Sequence, residues 1–155
     1  MILYDRDRIY TLTWTGDKLE GEMDGKSLSF RFLPDSPESL ALIPNEFNAS
    51  DYDESLSAYA YSILPNSVWL AEGKEGAKTL LVLIENTALY VAIDQQSVST
   101  AIFHSSYFSN IVILSAGGPP TDDDPCYYLT WTGSTVESDV TGTHLVFHSL
   151  SMQTN

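Results

Sequence analysis

The chain is predicted to be all-β or β-rich α+β: one domain of about ten strands, a barrel or sandwich, with a three-stranded meander duplicated at its two ends. Three observations predict this. Leu12-Thr13-Trp14-Thr15-Gly16 returns as Leu129-Thr130-Trp131-Thr132-Gly133, and Tyr10 to Leu33 aligns without gaps on Tyr127 to Leu150, with 11 of 24 positions identical. Ordinary composition would give about one or two identities by chance. Second, apolar residues alternate with polar ones along most segments, the period of a strand with one buried face. Third, the chain carries 9 Tyr, 6 Phe and 3 Trp, residues that favour pleated surfaces. At 155 residues the chain fits a single domain that buries a substantial core.

The elements follow in order. Arg8 to Thr15 alternates, with Leu12 and Trp14 on one face and three Thr on the other. Lys18 to Met23 is a second strand. Asp24-Gly25 is a two-residue hairpin signal, since both residues tolerate the positive φ of such a turn. Lys26 to Leu33 is a third strand. In the second copy Leu145 and Phe147 keep the apolar face of Leu28 and Phe30, while Ser27, Ser29 and Arg31 become His144, Val146 and His148. Identity concentrated on one parity is what a retained packing surface produces. The simplest arrangement sets the two meanders side by side, closing a barrel or sandwich and removing exposed edges.

Pro34 to Glu54 holds three prolines and six acids and reads as a loop, with a strand or helical turn near Leu40 to Ile43. In Ser55 to Leu64, Tyr59, Tyr61 and Ile63 fit a strand face and Leu56, Tyr59 and Ile63 a helix; the strand is preferred, ending at Pro65-Asn66. Ser67 to Glu72, Lys78 to Glu85 and Ala88 to Asp94 are strands, the middle one continuously apolar and so expected to be buried on both faces. Gln95 to Phe108 places Val98, Ala101, Ile102 and Ser105 at helical spacing, which allows a short helix. Asn110 to Ser115 is a strand, and Ala116 to Pro125 is an exposed loop.

The net charge is 7 − 21 = −14. No Lys or Arg lies between Phe32 and Gly73, or between Thr79 and Asn155. Binding to nucleic-acid backbone needs clustered Lys and Arg and is not expected; the same holds for an anionic membrane surface. A basic protein partner fits this charge. Cys126 is the single cysteine, so no internal disulfide forms, and a reducing, cytoplasmic setting is expected. The amino-terminal residues lack the apolar run of a signal peptide, and no stretch approaches the roughly 20 apolar residues of a membrane-spanning helix.

Catalytic constellations are absent from the local pattern. There is no Gly-x-Ser-x-Gly elbow, and Cys126 has no cationic neighbour in sequence that would activate it. His144 and His148 share a strand face but lie roughly 13 Å apart at the ordinary rise, too far for one metal; His104 is isolated. Asp51, Asp53, Glu54 and Asp122 to Asp124 supply oxygens of the kind calcium uses but do not match an EF-hand loop, and solvated acidic loops are the simpler reading, so neither metal nor cofactor is expected. The acidic-aromatic stretch Asp51, Tyr52, Asp53 and Glu54 is the first candidate for partner binding, because Tyr is enriched at interfaces and carboxylates suit Arg and Lys anchors. Asp122, Asp123 and Asp124 are the second. The function expected is therefore a non-enzymatic acidic module docking onto a basic protein, as an inhibitor, immunity protein or charge mimic does. The alternative is a small-molecule carrier with a barrel cavity lined by Trp14, Phe30, Trp131 and Phe147. An exposed strand edge would equally permit a homodimer.

Overall fold

The computed structural model describes residues 2–5, 8–14, 18–23, 25–31, 44–94, 98–116, 118–121, 125–140 and 143–153. The chain forms an eight-stranded antiparallel barrel with a small sheet on its outer wall and one short helix. The barrel strands are β5 (Asn66–Glu72), β6 (Lys78–Ile84), β7 (Thr87–Ile93), β8 (Val98–Phe108), β9 (Ile111–Ser115), β10 (Cys126–Trp131), β11 (Thr135–Ser138) and β12 (Leu145–Gln153). Each pairs with the next in sequence, and β12 returns to β5 through His148–Leu70, Ser149–Trp69 and Leu150–Val68. That closure leaves no edge among these strands.

Alternation along each strand fills the interior. Trp69, Leu81, Leu83, Tyr90, Phe103, Leu114, Leu129, Trp131 and Phe147 belong to one buried cluster. Tyr90 packs edge-on to Phe147 at 6.3 Å and Phe103 against Tyr127 at 5.2 Å. The intervening residues Val68, Leu70, Leu80, Val82, Val91 and Ile93 face outward, yet they too are buried, in a second cluster that includes Leu12 and Leu150. The expectation that the 78–85 strand is buried on both faces holds, and the second cover is the small sheet.

That sheet consists of β1 (Ile2–Asp5), β2 (Arg8–Trp14), β3 (Lys18–Met23) and β4 (Lys26–Arg31). It is joined to the barrel by β12, whose last residues pair with β1 through Tyr4–Ser151, Leu3–Met152 and Ile2–Gln153. Met23 pairs with Lys26 across a two-residue turn in which Gly25 has φ +75°, the hairpin predicted at Asp24-Gly25. The duplication is a structural repeat down to its register. Thr13–Glu20 and Trp14–Leu19 in the first copy match Thr130–Glu137 and Trp131–Val136 in the second. Leu19–Phe30 and Gly21–Leu28 match Val136–Phe147 and Ser138–Leu145.

Three expectations need correction. The two meanders do not close the barrel together: only the second lies in it, because β12 pairs with β5 whereas the first copy continues from β1 in the small sheet. Residues 54–63 are helical, a 3-10 turn at Glu54–Leu56 running into α1 (Ser57–Ile63). Ala60 and Leu64, four apart, are fully buried against the barrel interior, and Leu56 packs beside them; α1 thus caps the barrel end where the β6–β7, β8–β9 and β10–β11 turns lie. The possible helix in 95–108 is instead β8, paired with β7 over seven successive positions, because Ala101, Phe103 and Ser105 alternate into the barrel. The turn expected near Leu40 to Ile43 lies outside the described residues.

Candidate functional site

β11 is only four residues long and pairs with β10 at Thr130 and Trp131 alone. The backbone of Tyr128 on that side therefore has no strand partner. Asn45 supplies one: its carboxamide donates to the Tyr128 carbonyl at 2.9 Å and accepts from the Tyr128 amide at 2.7 Å. A side chain standing in for a strand holds the segment from Pro44 onward against the barrel wall.

Asn110, in the β8–β9 turn and 1% exposed, fastens the other end. Its Oδ1 accepts from the Asp53 amide at 2.8 Å, while its Nδ2 donates to the carbonyls of Asp51 at 2.9 Å and Trp131 at 3.0 Å. Ser109 adds a bond from its hydroxyl to the Asp53 carbonyl and one from its amide to the Tyr61 hydroxyl. Between these anchors the chain makes two short turns. Asn48 caps the 3-10 turn Ala49–Asp51 by accepting from Ser50, and Asp53 caps Glu54–Leu56 by accepting from Ser55. Asx capping of this kind explains why an Asn/Asp-Ser-rich stretch turns instead of extending.

The fastened segment encloses a cleft of about 320 Å³ on the outer wall. Asn45, Glu46, Phe47, Asn48 and Asp51 form one side; Ile111, Tyr128, Thr130 and Glu137 form the wall; Asp139 and His144 close the end. Among the described residues, four carboxylates and no Lys or Arg line it. Phe47 stands edge-on to Tyr128 at 5.9 Å and to Phe108 at 6.2 Å, and Tyr52 stacks on Phe108 at 5.1 Å. Phe47 and Phe108 remain 41% and 52% exposed, so an aromatic strip continues from the cleft onto the surface. His144 Nδ1 lies 2.7 Å from Asp139 Oδ1. That hydrogen bond, opposed by desolvation and supported by the charges of Asp139 and Glu137, raises the His144 pKa above its ordinary value.

Of the residues singled out in the sequence, Asp51 lines this cleft and Tyr52 belongs to its aromatic strip. Asp53 is turned to capping, and Glu54 is exposed beside it. Asp122, Asp123 and Asp124 lie outside the described residues. Trp131 and Phe147 are in the barrel interior, whereas Trp14 and Phe30 belong to β2 and β4 of the small sheet. Among the described residues no group of three or more His, Cys, Asp or Glu is placed to hold a metal ion, and no helix is long and apolar enough to cross a membrane. Glu46 and Phe47 lay within a stretch already marked as acidic. His144 stood out only as half of a histidine pair, and Asn45, Glu137 and Asp139 carried no local signal, because the 45–51 segment and the 137–144 stretch meet only in the fold. Searches against protein-family models, curated proteins and solved structures find no match to this chain.

Proposed function

We propose that the protein is a non-enzymatic acidic module that docks onto a basic partner protein, as an inhibitor, an immunity protein or a mimic of nucleic-acid charge would, and that the cleft with its aromatic strip is the docking face. The observation that carries this reading is the conjunction of four carboxylates, among the described residues no Lys or Arg, and two half-exposed Phe rings on one pinned surface. Charge supports it. Residues 32–155 hold 15 acids and two lysines, 2 − 15 = −13, a field that speeds encounter with a basic target and makes the rate fall with salt. Exposed aromatics supply contact area where the steering charges bring the partner in.

The carrier alternative has less support, since Trp69, Phe103, Tyr90, Trp131 and Phe147 already occupy the barrel interior. The test is isolation of the intact complex from source cells under gentle conditions, followed by association kinetics at low and high ionic strength. A basic partner whose association slows about tenfold or more on going from 0.02 to 0.5 M salt fits steering. A partner whose rate ignores salt refutes it.

A further inference from the structure

We infer that the cleft receives a single guanidinium group, presented by an arginine side chain of the basic partner; this rests on the docking reading above. The lining selects among cations. Among the described residues the carboxylates of Glu46, Asp51 and Glu137 have neither a hydrogen bond nor an ion pair, and only Asp139 is engaged, with His144. Acceptors therefore face the space from two sides, from the 46–51 segment and from β11. Phe47, Tyr128 and Ile111 supply apolar and aromatic wall between them. A guanidinium is planar, weakly hydrated on its faces and carries five donors around its edge, so it can stack on a ring while bonding to more than one carboxylate. An ammonium is a compact, strongly hydrated point charge that gains little from the rings. A bare metal ion is a poorer match, for no described group of three ligands converges. A volume of about 320 Å³ is at the small end for ligand sites and is large enough to admit an arginine side chain.

The test titrates the intact protein with acetyl-Gly-Arg-Gly-amide, its Lys counterpart and free agmatine, followed by amide NMR shifts. The Arg peptide should bind saturably, about threefold or more tighter than the Lys peptide, with shifts centred on Tyr128, Thr130 and Glu137. Glu137→Gln and Asp51→Asn should each weaken it about fivefold, and Phe47→Ala should erase the preference for Arg over Lys. These are surface changes whose folding is checked by unchanged far-ultraviolet circular dichroism. Equal binding of the two peptides, or binding indifferent to all three variants, overturns the inference; salt-dependent association with a basic protein would then still stand, and the docking reading with it. Binding of agmatine without the Arg peptide overturns the arginine source, and the docking reading is then decided separately by the salt dependence of association.

Discussion

Asn110 is the residue on which the site depends, and its removal has a calculable cost. It makes three side-chain hydrogen bonds of 2.8 to 3.0 Å at a position 1% exposed. A net 0.5–1.5 kcal/mol for each bond sets the scale, and the partners left behind regain water only in part, because Trp131 is buried while Asp51 and Asp53 are at the surface. Asn110→Ala is thus expected to cost about 2–4 kcal/mol. For a chain of this length that is a fall in melting temperature of about 4–16 °C. Asn110→Asp is the sharper variant. It keeps the acceptor for the Asp53 amide but turns an oxygen towards the carbonyls of Asp51 and Trp131, and it adds a buried charge. Its cost should equal or exceed that of Ala despite the conserved shape. Urea unfolding monitored by tryptophan fluorescence gives the free energies, and amide hydrogen exchange locates the change. Protection should be lost first in 51–56 while the β6–β7 ladder stays closed. A cost below about 0.5 kcal/mol for Ala, or an Asp variant as stable as the parent, would show that the segment is held by something other than this clasp.

Other substitutions probe the remaining layers. A Cβ at Gly21 would collide with the Thr11 carbonyl and lie 2.6 Å from Leu12 Cδ2, so Gly21→Ser, the residue at the equivalent position 138 of the second copy, should destabilise by about 1–3 kcal/mol in thermal melts. Leu12→Ala should cost about 2–5 kcal/mol, since Leu12 is 1% exposed between sheet and barrel, whereas Thr11→Ala and Thr13→Ala on the exposed face should each fall within about 0.5 kcal/mol. Burial pushes the Tyr90 hydroxyl up to about 12; the stability this represents, about 3 kcal/mol at most, is present below pH 10 and lost as pH rises towards 12, and Tyr90→Phe should flatten that decline in urea titrations. Asp139→Asn should bring the His144 pKa down towards 6.5 in an imidazole NMR titration. In the parent protein the binding of the Arg peptide should strengthen as pH rises through that raised value, because protonated His144 places a positive charge among Glu46, Asp51, Glu137 and Asp139.

Strands were legible in the sequence wherever one periodicity had no rival. The 78–85 run and the hairpin at Asp24-Gly25 are of this kind. The stretch 55–64 was not, because Tyr59, Tyr61 and Ile63 alternate like a strand yet end 64%, 52% and 42% exposed. The residues that matter there are Ala60 and Leu64, and an alanine is too small to stand out in a pattern. In 98–108 the helical spacing of Val98, Ala101, Ile102 and Ser105 coexists with the alternation of Ala101, Phe103 and Ser105; pairing with β7 selects the second. Asp51 and Tyr52 were legible as an acidic-aromatic pair. The cleft around them was not, since its wall belongs to β9, β10 and β11 and no local pattern reports that 45–51 crosses them.

The duplication separates what the chain encodes locally from what it does not. Register is local: the rungs the two meanders share, from Thr13–Glu20 and Trp14–Leu19 to Leu19–Phe30 and Gly21–Leu28, fall at equivalent residues because the same alternation is present in each, although the second copy stops pairing at Ser138–Leu145. Location is not. Leu12 and Leu129 occupy equivalent positions and both are buried, at 1% and 0%, yet one presses on the outside of the barrel wall and the other fills its interior. The apolar face of the motif needs a cover and is indifferent to which side of a sheet provides it. The outward face follows the same logic. Thr130, Glu137 and Asp139 of the cleft have counterparts in Thr13, Glu20 and Glu22, so the acidic pair is part of the repeat itself. In the first copy Glu20 takes a bond from Ser29 and Glu22 is exposed. In the second, Tyr128 and His144 replace Thr11 and Ser27, and the segment fastened by Asn45 and Asn110 encloses the same acids. An ordinary solvated strand face becomes a concave one where the second copy's pairing stops short, at Thr130–Glu137 and Ser138–Leu145, and an added loop held by two side-chain amides takes the place of the missing rungs.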